Sequence, residues 1–552
     1  MREANPADQN CKSEAMVAAI VLLVCLTFAI STQHAWEDYW ITFRSSLNLA
    51  TGHGLVYTLG ERLHTFTSPL GVLLPAGFSW ITGNQSDDLV LWLFRFVSIA
   101  ALAMGMVLFF RVLQPLQQNR ISVFFPLALI ALDSKTVDFC TNGMETGLLV
   151  FFLALTIHGL LVAGQGQMWR IGAGWGGLMW TRPDSCVYIV ALALGIFLFP
   201  PNQAGGQART TWLKKLLMAG LVCAILYLPW FLWAWSYYGS PVPQPITAKG
   251  TNADPLSASS LCASLLLFPA TLLVEKTSLH WTFLPTYAWF GGWPEALEAV
   301  GIVLGMAAIF AWTVPVLRPQ TRFFSLAYLL GNFFLTCVIK EFYPWYLPTV
   351  AVFGYLTIGL LFDEMLCLAT KFPQFGWNRG WFAHLPVILR VSAAGLVAGQ
   401  LAVTVCVARQ LQVQQSLIEN GMRRPIGLWL RDHARTPQDT VMLEPMGYIG
   451  YYSGLKMLDY PGLASREMLE ARKRLGRARQ NQAYLELKPD WLVLRPGEVK
   501  YGVYVDTNGL KKFYELVQVF DATAKINATR WLPGKPYLQH DQTFLIFHRK
   551  TD

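Results

Sequence analysis

Long uncharged apolar runs alternate with short polar segments up to about residue 409. Nine of these runs are candidate membrane spans, near residues 15–33, 89–110, 121–132, 146–163, 216–236, 299–317, 323–339, 343–362 and 388–408. As a helix, a run of about 20 apolar residues crosses a hydrocarbon core of about 30 Å. The pattern therefore predicts a polytopic α-helical membrane protein.

Two further apolar runs do not read as single spans. The stretch 171–199 holds "TRPD" between two apolar halves, so we expect two helices that meet at a polar tip, Thr181 to Asp184. Irregular backbone at membrane depth is tolerated where it lines a cavity. The run 258–274 is interpreted as a segment that dips into the interface. Together these runs predict about 10–12 membrane segments.

The pattern changes from about Gln410, where charges become frequent and long apolar runs stop. "TVMLEP", "DWLVLRP" and "TFLIFHR" are short β-branched and aromatic runs bounded by Pro, Gly and Asp. Such runs are typical of strands. "SREMLEARKRLGRARQNQAYLEL" has the spacing of an amphipathic helix. We therefore divide the chain into a membrane domain, 1–409, and a soluble α/β domain, 410–552.

Composition and charge support this organisation. Of the 552 residues, 54% are hydrophobic and 14% charged, whereas soluble proteins carry about 25% charged residues. The formal net charge is +9, which in a soluble protein would raise the question of nucleic acid. Here Lys and Arg concentrate in alternate loops, as the positive-inside rule predicts for cytoplasmic segments. We expect no nucleic-acid partner.

The same asymmetry orients the chain. It predicts a multi-pass membrane protein with a cytoplasmic N-terminus. The loops 34–88 and 237–298 and the C-terminal domain would then be extracytoplasmic. The nine cysteines lie mostly in apolar runs and form no CxxC spacing, so neither a disulfide framework nor a thiolate metal site is expected.

The first polar loop carries the strongest candidate chemistry. "HAWEDYWITFRSSLNLATGHGLVYTLGER" places Glu37 and Asp38 directly after the first apolar run. Partial desolvation there raises the pKa of a carboxylate toward that of a useful base. The alternative is that both acids are solvated loop charges. We predict Asp38 as a general base, with Glu37 as its neighbour or alternate.

Two more groups of polar and charged residues lie at the start of one apolar run and at a break within another. "DFCTNGMETGLLV" brings Asp138 and Glu145 to the start of a charge-free run, where Asn142 or Thr141 could instead cap the helix. "WTRPD" places Arg182 and Asp184 at the break in the run 171–199. An Arg within a broken span usually faces a cavity or a partner. A structural Arg–Asp ion pair is the alternative.

The last two groups are a proline-rich loop and an aromatic segment. "YYGSPVPQPITAKGT" ends near Lys249, and "KEFYPWYLPTV" contains Tyr343 and Trp345. An interfacial aromatic belt is the alternative interpretation of the second segment. One topology places all five groups on the same side of the membrane. We therefore expect one site, with carboxylates for a base and cations for an anionic group.

The motifs resemble those of GT-C glycosyltransferases, integral-membrane enzymes that use polyprenyl-phosphate-linked sugars. The pattern is most similar to that of mycobacterial terminal arabinofuranosyltransferases. It consists of paired acids, an Arg, an Asn-Leu step, a Gly-x-Gly and a Gly-Glu-Arg. These features fall on Glu37, Asp38, Arg44, Asn48, Leu49, Gly52, Gly54, Gly60, Glu61 and Arg62. "DFCTNGMETGLLV", "TRPD", "YYGSPVPQPITAK" and "LEPMGYIGYYSGLKMLDYPGLAS" resemble later segments of the family, in the same order.

The resemblance implies a GT-C-like fold and transfer of a sugar, such as arabinofuranose, to a cell-envelope glycan or lipid. Asp38 would be the base, and Arg44, Arg182 and Lys249 would bind the donor phosphate. A single displacement would invert the anomeric centre. A divalent metal is compatible with the acids but is not required by any His or Cys spacing. A carrier of lipid-linked sugars and a non-catalytic envelope scaffold remain as alternatives.

Overall fold

The computed structural model describes residues 6–162, 164–201, 209–250, 257–340, 343–371 and 384–550. Up to His433 the described part of the chain is mostly helical, with helices joined by turns and loops. Its helices there are α1 (Pro6–Thr32), α2 (Glu37–Ala50), α3 (Pro69–Ile81), α4 (Asp87–Leu113), α5 (Arg120–Ala131), α6 (Ser134–Thr141), α7 (Thr146–Leu161), α8 (Gln167–Thr181), α9 (Cys186–Leu198), α10 (Arg209–Tyr238), α11 (Gln244–Gly250), α12 (Ala258–Val274), α13 (Ser278–Trp281), α14 (Glu295–Phe310), α15 (Pro319–Phe333), α16 (Leu347–Lys371), α17 (Leu385–Gln414) and α18 (Arg424–His433).

Seven helical segments of the described chain are long and apolar enough to cross a membrane. They are Gln9–Thr32, Asp87–Leu113, Arg209–Tyr238, Glu295–Thr313, Pro319–Ile339, Pro344–Lys371 and Leu385–His433. Four shorter apolar helices accompany them, at Pro69–Ile81, Arg120–Ala131, Pro183–Leu198 and Ser259–Val274. The prediction of a polytopic helical membrane protein is confirmed, and its count of 10–12 segments includes such shorter helices.

Breaks in the helices shape the membrane part. Helices α6 and α7 are bent by 116° where they meet. The expectation that Asn142 or Thr141 caps α7 is wrong, because Glu145 precedes its first turn and makes no side-chain capping bond. The Asn142 side chain instead donates to Asp138 and accepts from the Met144 N–H. As predicted, α8 and α9 meet at a polar turn, Pro183–Ser185.

The first loop folds into two short helices beneath the C-terminal domain. Helix α2 buries Tyr39, Trp40 and Phe43 against helix α4 and against Tyr448 of the C-terminal domain. Glu37 and Asp38, in the first turn of α2, lie on a different face of the helix from these aromatic residues. The glycines at 52, 54 and 60 adopt positive φ angles in the turn that follows.

The C-terminal part is a five-stranded sheet with helices around it. Its strands are β1 (Thr440–Leu443), β2 (Lys456–Asp459), β3 (Trp491–Leu494), β4 (Tyr514–Asp521) and β5 (Thr543–Arg549). Its helices are α19 (Met446–Ser453), α20 (Arg466–Leu475), α21 (Ala483–Leu487), α22 (Pro496–Tyr501), α23 (Thr507–Phe513), α24 (Thr523–Ala528) and α25 (Lys535–His540). The predicted α/β domain is confirmed.

The sheet has the order β2-β1-β3-β5-β4. Strand β1 pairs in parallel with β2 and β3, and β5 runs antiparallel to β3 and β4. Alternate residues of the central strands face two different cores. Val441 and Val493 pack into one core, and Met442 and Leu492 into the other. Burial on both faces explains why these strands are continuous apolar runs.

A long helix joins the two parts. Helix α17 continues through a π-helical segment, Gln415–Arg423, into α18, so no extended linker separates the membrane part from the sheet. Helix α19 packs on α2, where the Tyr448 hydroxyl donates to the Ala35 carbonyl at 3.0 Å. The C-terminal domain is therefore seated directly on the first-loop helix that carries Glu37 and Asp38.

Candidate active site

Two adjoining cavities lie where α2 meets the C-terminal domain. The larger has a volume of about 540 Å³ and extends between the membrane part and the sheet. The smaller, about 80 Å³, is bounded on the membrane side by Glu145, Arg182 and Tyr346. Asp38 and Lys249 line both cavities. The structure thus places these two side chains at the junction of a wide cleft and a narrow recess.

Asp38 is positioned by the first turn of α2. Burial raises the pKa of its carboxyl above the ordinary value, while the charges of Lys249 and Arg182 oppose the rise. The positive end of the helix dipole also favours a carboxylate at this position. Within the described residues, Asp38 makes no hydrogen bond or ion pair with another side chain. Its oxygens are therefore available to a bound molecule.

Glu37 has a different environment, although it is the adjacent residue. Its Oε2 accepts from Arg423 Nη1 at 2.9 Å, and its Oε1 accepts from the Gly447 N–H at 2.5 Å. Burial raises the pKa of Glu37 to about 8, against the charge of Arg423 and with a further rise from the nearby Glu419. Both oxygens are engaged by the C-terminal part, so Glu37 is suited to holding α2 in place rather than to contacting substrate.

Arg182 forms the cationic wall of the smaller cavity. Its Nε and Nη2 donate to Asp184 at 3.1 and 3.4 Å, and its Nη1 donates to Glu145 at 3.3 Å. Its guanidinium also stacks on the Tyr346 ring, 4.6 Å from the centroid. The Arg182–Asp184 ion pair that the sequence left as an alternative is present, and Glu145 joins it.

Lys249 lies in an aromatic cradle. Its Nζ is 4.5 Å from the centroid of the Tyr343 ring and 5.7 Å from that of Trp345, and it donates to the Tyr346 hydroxyl at 3.4 Å. Aromatic faces attract an ammonium without neutralising it. The cradle therefore positions the Lys249 side chain beside Asp38. Tyr343 and Trp345 line the larger cavity, and Trp345 lines the smaller one as well.

Three predicted site residues lie outside the linings of both cavities. The Arg44 guanidinium donates to the carbonyls of Gly450 and Gly454 at 2.8 and 2.9 Å, and so ties α2 to the C-terminal domain. Asp138 is fully buried beside His34, 3.2 Å from its Nδ1. Asp184 sits behind Arg182. The structure places all three as supports of the surrounding backbone or of Arg182.

The C-terminal domain supplies a wall of the larger cavity that sequence reasoning missed. Glu444, Tyr460 and Arg495 follow the ends of β1, β2 and β3 and line the cleft. Ligands of parallel sheets commonly bind beyond the carboxyl ends of the strands. The motif 443–465 was the available signal, because it contains two of these residues.

Charged residues link this wall to α2. Arg423 contacts Glu37, Glu419 and Asp541, at 2.9, 3.0 and 2.5 Å. Asp541 also pairs with Arg495. Nothing in the local sequence indicated that these residues meet.

Metal binding is not indicated by any side-chain cluster in the described chain. Within those residues, no group of three or more His, Cys, Asp or Glu side chains could hold a metal ion. A divalent metal that is shared between Asp38 and a substrate phosphate stays a prediction.

Sequence comparison identifies relatives over part of the chain. Residues 409–547 match a domain of unknown function, DUF8728. The terminal beta-(1->2)-arabinofuranosyltransferase of Mycobacterium tuberculosis is 28% identical in an alignment of 262 positions that covers 44% of this chain and 40% of the relative. Its counterpart in Corynebacterium glutamicum is 25% identical in an alignment of 283 positions that covers 44% of this chain and 39% of the relative. The chain thus aligns with about two fifths of the length of each enzyme.

Solved structures match over nearly the whole chain. ArnT from Cupriavidus metallidurans bound to undecaprenyl phosphate aligns with a TM-score of 0.51 and 11% identity, and covers 97% of both chains. The apo state of the same protein gives 0.53, with the same identity and coverage. At this identity the likeness concerns the fold. The chain therefore has a fold like that of ArnT, and the predicted resemblance to the mycobacterial arabinofuranosyltransferase is confirmed.

Proposed function

We propose that this chain is a glycosyltransferase of the EC 2.4 type. It would move a sugar, such as arabinofuranose, from a polyprenyl-phosphate donor to a cell-envelope glycan or lipid. The partial identity to two arabinofuranosyltransferases supports the reaction class. The ArnT-like fold, known with undecaprenyl phosphate bound in ArnT, supports a lipid-phosphate donor.

One observation carries the proposal. Asp38 has no side-chain partner within the described residues, and it stands at the junction of two cavities beside Lys249 and Arg182. A transfer reaction needs such a junction, because the acceptor hydroxyl must reach the anomeric carbon of the donor sugar. The narrow recess with Arg182 suits the donor phosphate. The wide cleft, with its aromatic and charged walls, suits an acceptor rich in hydroxyl groups.

In the proposed reaction Asp38 accepts the proton of the acceptor hydroxyl. The resulting oxygen forms a bond to the anomeric carbon while the bond from that carbon to the phosphate oxygen breaks. Lys249 and Arg182 stabilise the charge that develops on the departing lipid phosphate. Arg offers a planar fork and Lys a point charge, and both bind phosphate. A single displacement of this kind inverts the anomeric centre.

Glu37 takes a supporting role in this proposal. Its two oxygens are bound by Arg423 and Gly447, whereas no side chain of the described residues binds the oxygens of Asp38. We therefore assign proton transfer to Asp38 and the orientation of α2 to Glu37. Arg44, which the sequence pattern suggested for phosphate binding, is assigned to attachment of the C-terminal domain.

We also propose that the site faces the extracytoplasmic side of a bacterial inner membrane, with the N-terminus in the cytoplasm. The excess of Lys and Arg in alternate loops supports this orientation. A C-terminal fusion to a reporter that works only in the cytoplasm should be silent. An active reporter would show that the C-terminal domain and the site face the cytoplasm.

The reaction is tested with purified protein, a polyprenyl-phosphate arabinofuranose donor and an arabinan oligosaccharide. Wild type should form the extended glycan, and Asp38→Asn should lower the rate about 10²–10⁴-fold, as expected for loss of a general base. Asp432→Asn, at an exposed position paired with Arg431, is the matched control and should keep full activity.

Two outcomes would contradict the proposal. Full activity of Asp38→Asn would show that Asp38 is not the general base. Movement of the donor across a vesicle membrane without sugar transfer would indicate a carrier instead of an enzyme.

A further inference from the structure

A tryptophan of the C-terminal domain is held out from the protein surface. Trp531 lies in the loop between α24 and α25 with 94% of its surface exposed, the largest fraction among the bulky hydrophobic residues of the described chain. Its φ angle is +50°, which is uncommon for a bulky residue. The next residue, Leu532, is buried in the core on one face of the sheet. The loop is therefore anchored, and Trp531 faces outward from that anchor.

The same loop touches the membrane helices at their ends. Gly534 packs so closely on Gln410 Oε1 and Trp293 Nε1 that a Cβ would not fit there. The apolar run of α17 ends two residues before Gln410, and α14 begins two residues after Trp293. Both contacts thus lie at the ends of the apolar runs of two candidate spans, the level at which a helix that crosses a bilayer leaves the hydrocarbon.

Trp531 lies within reach of that level. It precedes Gly534 by three positions, so their Cα atoms are at most about 10 Å apart. The headgroup region on each side of a bilayer is about 5–8 Å thick. Tryptophan is enriched in this region because its ring is apolar and its N–H is polar.

The charge of the segment matches a membrane surface. Residues 522–540 contain Lys525, Arg530 and Lys535 and no Asp or Glu. Lys525 and Arg530 are exposed. The Lys535 Nζ donates to the carbonyls of Asn527 and Thr529 at 2.9 and 3.0 Å and so braces the loop. Exposed cations beside an exposed indole are suited to anionic headgroups.

We propose that the 522–535 segment docks the C-terminal domain onto the bilayer, with Trp531 in the headgroup region and Lys525 and Arg530 on anionic lipid phosphates. This contact adds a lipid attachment to the contacts that the domain makes with α2 and with the ends of the membrane helices. It does not depend on the proposed sugar transfer, so it can be tested on the protein without substrates.

The test uses a fluorescent label next to Trp531. Ala528 is exposed and makes no side-chain hydrogen bond, so Ala528→Cys can carry an NBD group after the exposed Cys11, Cys186 and Cys262 are replaced by serine. The protein is placed in nanodiscs of phosphatidylglycerol that contain a lipid with a doxyl group near the headgroup. We expect strong quenching of the label, reduced several-fold by Trp531→Ser in the same background.

Lys511→Cys provides the matched control. Lys511 is exposed and lies beside the opposite end of β5, which is about 20 Å long. Its label should stay unquenched, and the Ala528→Cys label should be quenched less in phosphatidylcholine nanodiscs. Equal quenching at positions 528 and 511, or no change with Trp531→Ser, would overturn the docking. Equal quenching in both lipids would overturn the recognition of anionic headgroups.

Discussion

The ion cluster around Arg423 gives the sharpest stability prediction. One guanidinium contacts three carboxylates, those of Glu37, Glu419 and Asp541, and its side chain is only 6% exposed. Removing one partner of a buried ion pair costs about 3–5 kcal/mol, because the remaining charge is left without compensation. Arg423→Gln should therefore destabilise the protein by about that amount.

Removal of one carboxylate of the cluster, instead of the guanidinium, provides the comparison. Glu419→Gln removes a carboxylate from a crowded group and with it one cause of the raised Glu37 pKa, and it leaves Arg423 in contact with Asp541 and Glu37. The expected loss is about 1 kcal/mol or less, the size of one hydrogen bond. In a domain of 150–250 residues, 1 kcal/mol corresponds to about 2–4 °C in Tm. Arg423→Gln should thus lower Tm by about 6–20 °C, and Glu419→Gln by at most about 4 °C.

The assay is thermal unfolding of the detergent-purified proteins at pH 7, followed by intrinsic fluorescence. Limited proteolysis should show that the C-terminal domain of Arg423→Gln is cleaved first, because its contact with α2 is weakened. Equal Tm losses in the two variants would refute the reasoning, since they would mean that charge balance in the cluster is unimportant. A larger loss in Glu419→Gln would refute it more directly.

Three further predictions concern the cations. Lys249→Met removes a charge that opposes the raised pKa of Asp38, so that pKa should rise further and the acid limb of kcat/KM should move to higher pH; a limb that stays in place would contradict the pairing. Arg182→Gln should lower the Tm of the apo protein, because Asp184 and Glu145 lose their partner. It should also abolish the rise in Tm that undecaprenyl phosphate gives to wild type. An equal rise in wild type and variant would argue against the phosphate site. Arg44→Met loses two hydrogen bonds from a charged group, each worth about 1.5–3 kcal/mol. It should lower Tm and change the donor KM less than threefold. A large change in KM with unchanged Tm would indicate that Arg44 binds the donor.

The amino-acid sequence by itself determined the class of the protein. Length and hydrophobicity of the runs decide whether a helix can lie in a bilayer, so the membrane part was predictable from local pattern alone. The strands of the C-terminal domain were also visible, because they are short β-branched runs between Pro, Gly and Asp. The motifs with Glu37, Asp38, Arg182 and Lys249 were found from residue type and position relative to the spans.

Only the tertiary structure decided how those residues divide their roles. Glu37 and Asp38 are neighbours in sequence, yet Glu37 is bound by Arg423, 386 positions away, and Asp38 faces the cavities. Arg44 and Gly450 are 406 positions apart, and their contact turns a candidate phosphate ligand into an attachment point. Local periodicity carries no information about such pairs, because they form only when α2 and the C-terminal domain pack together.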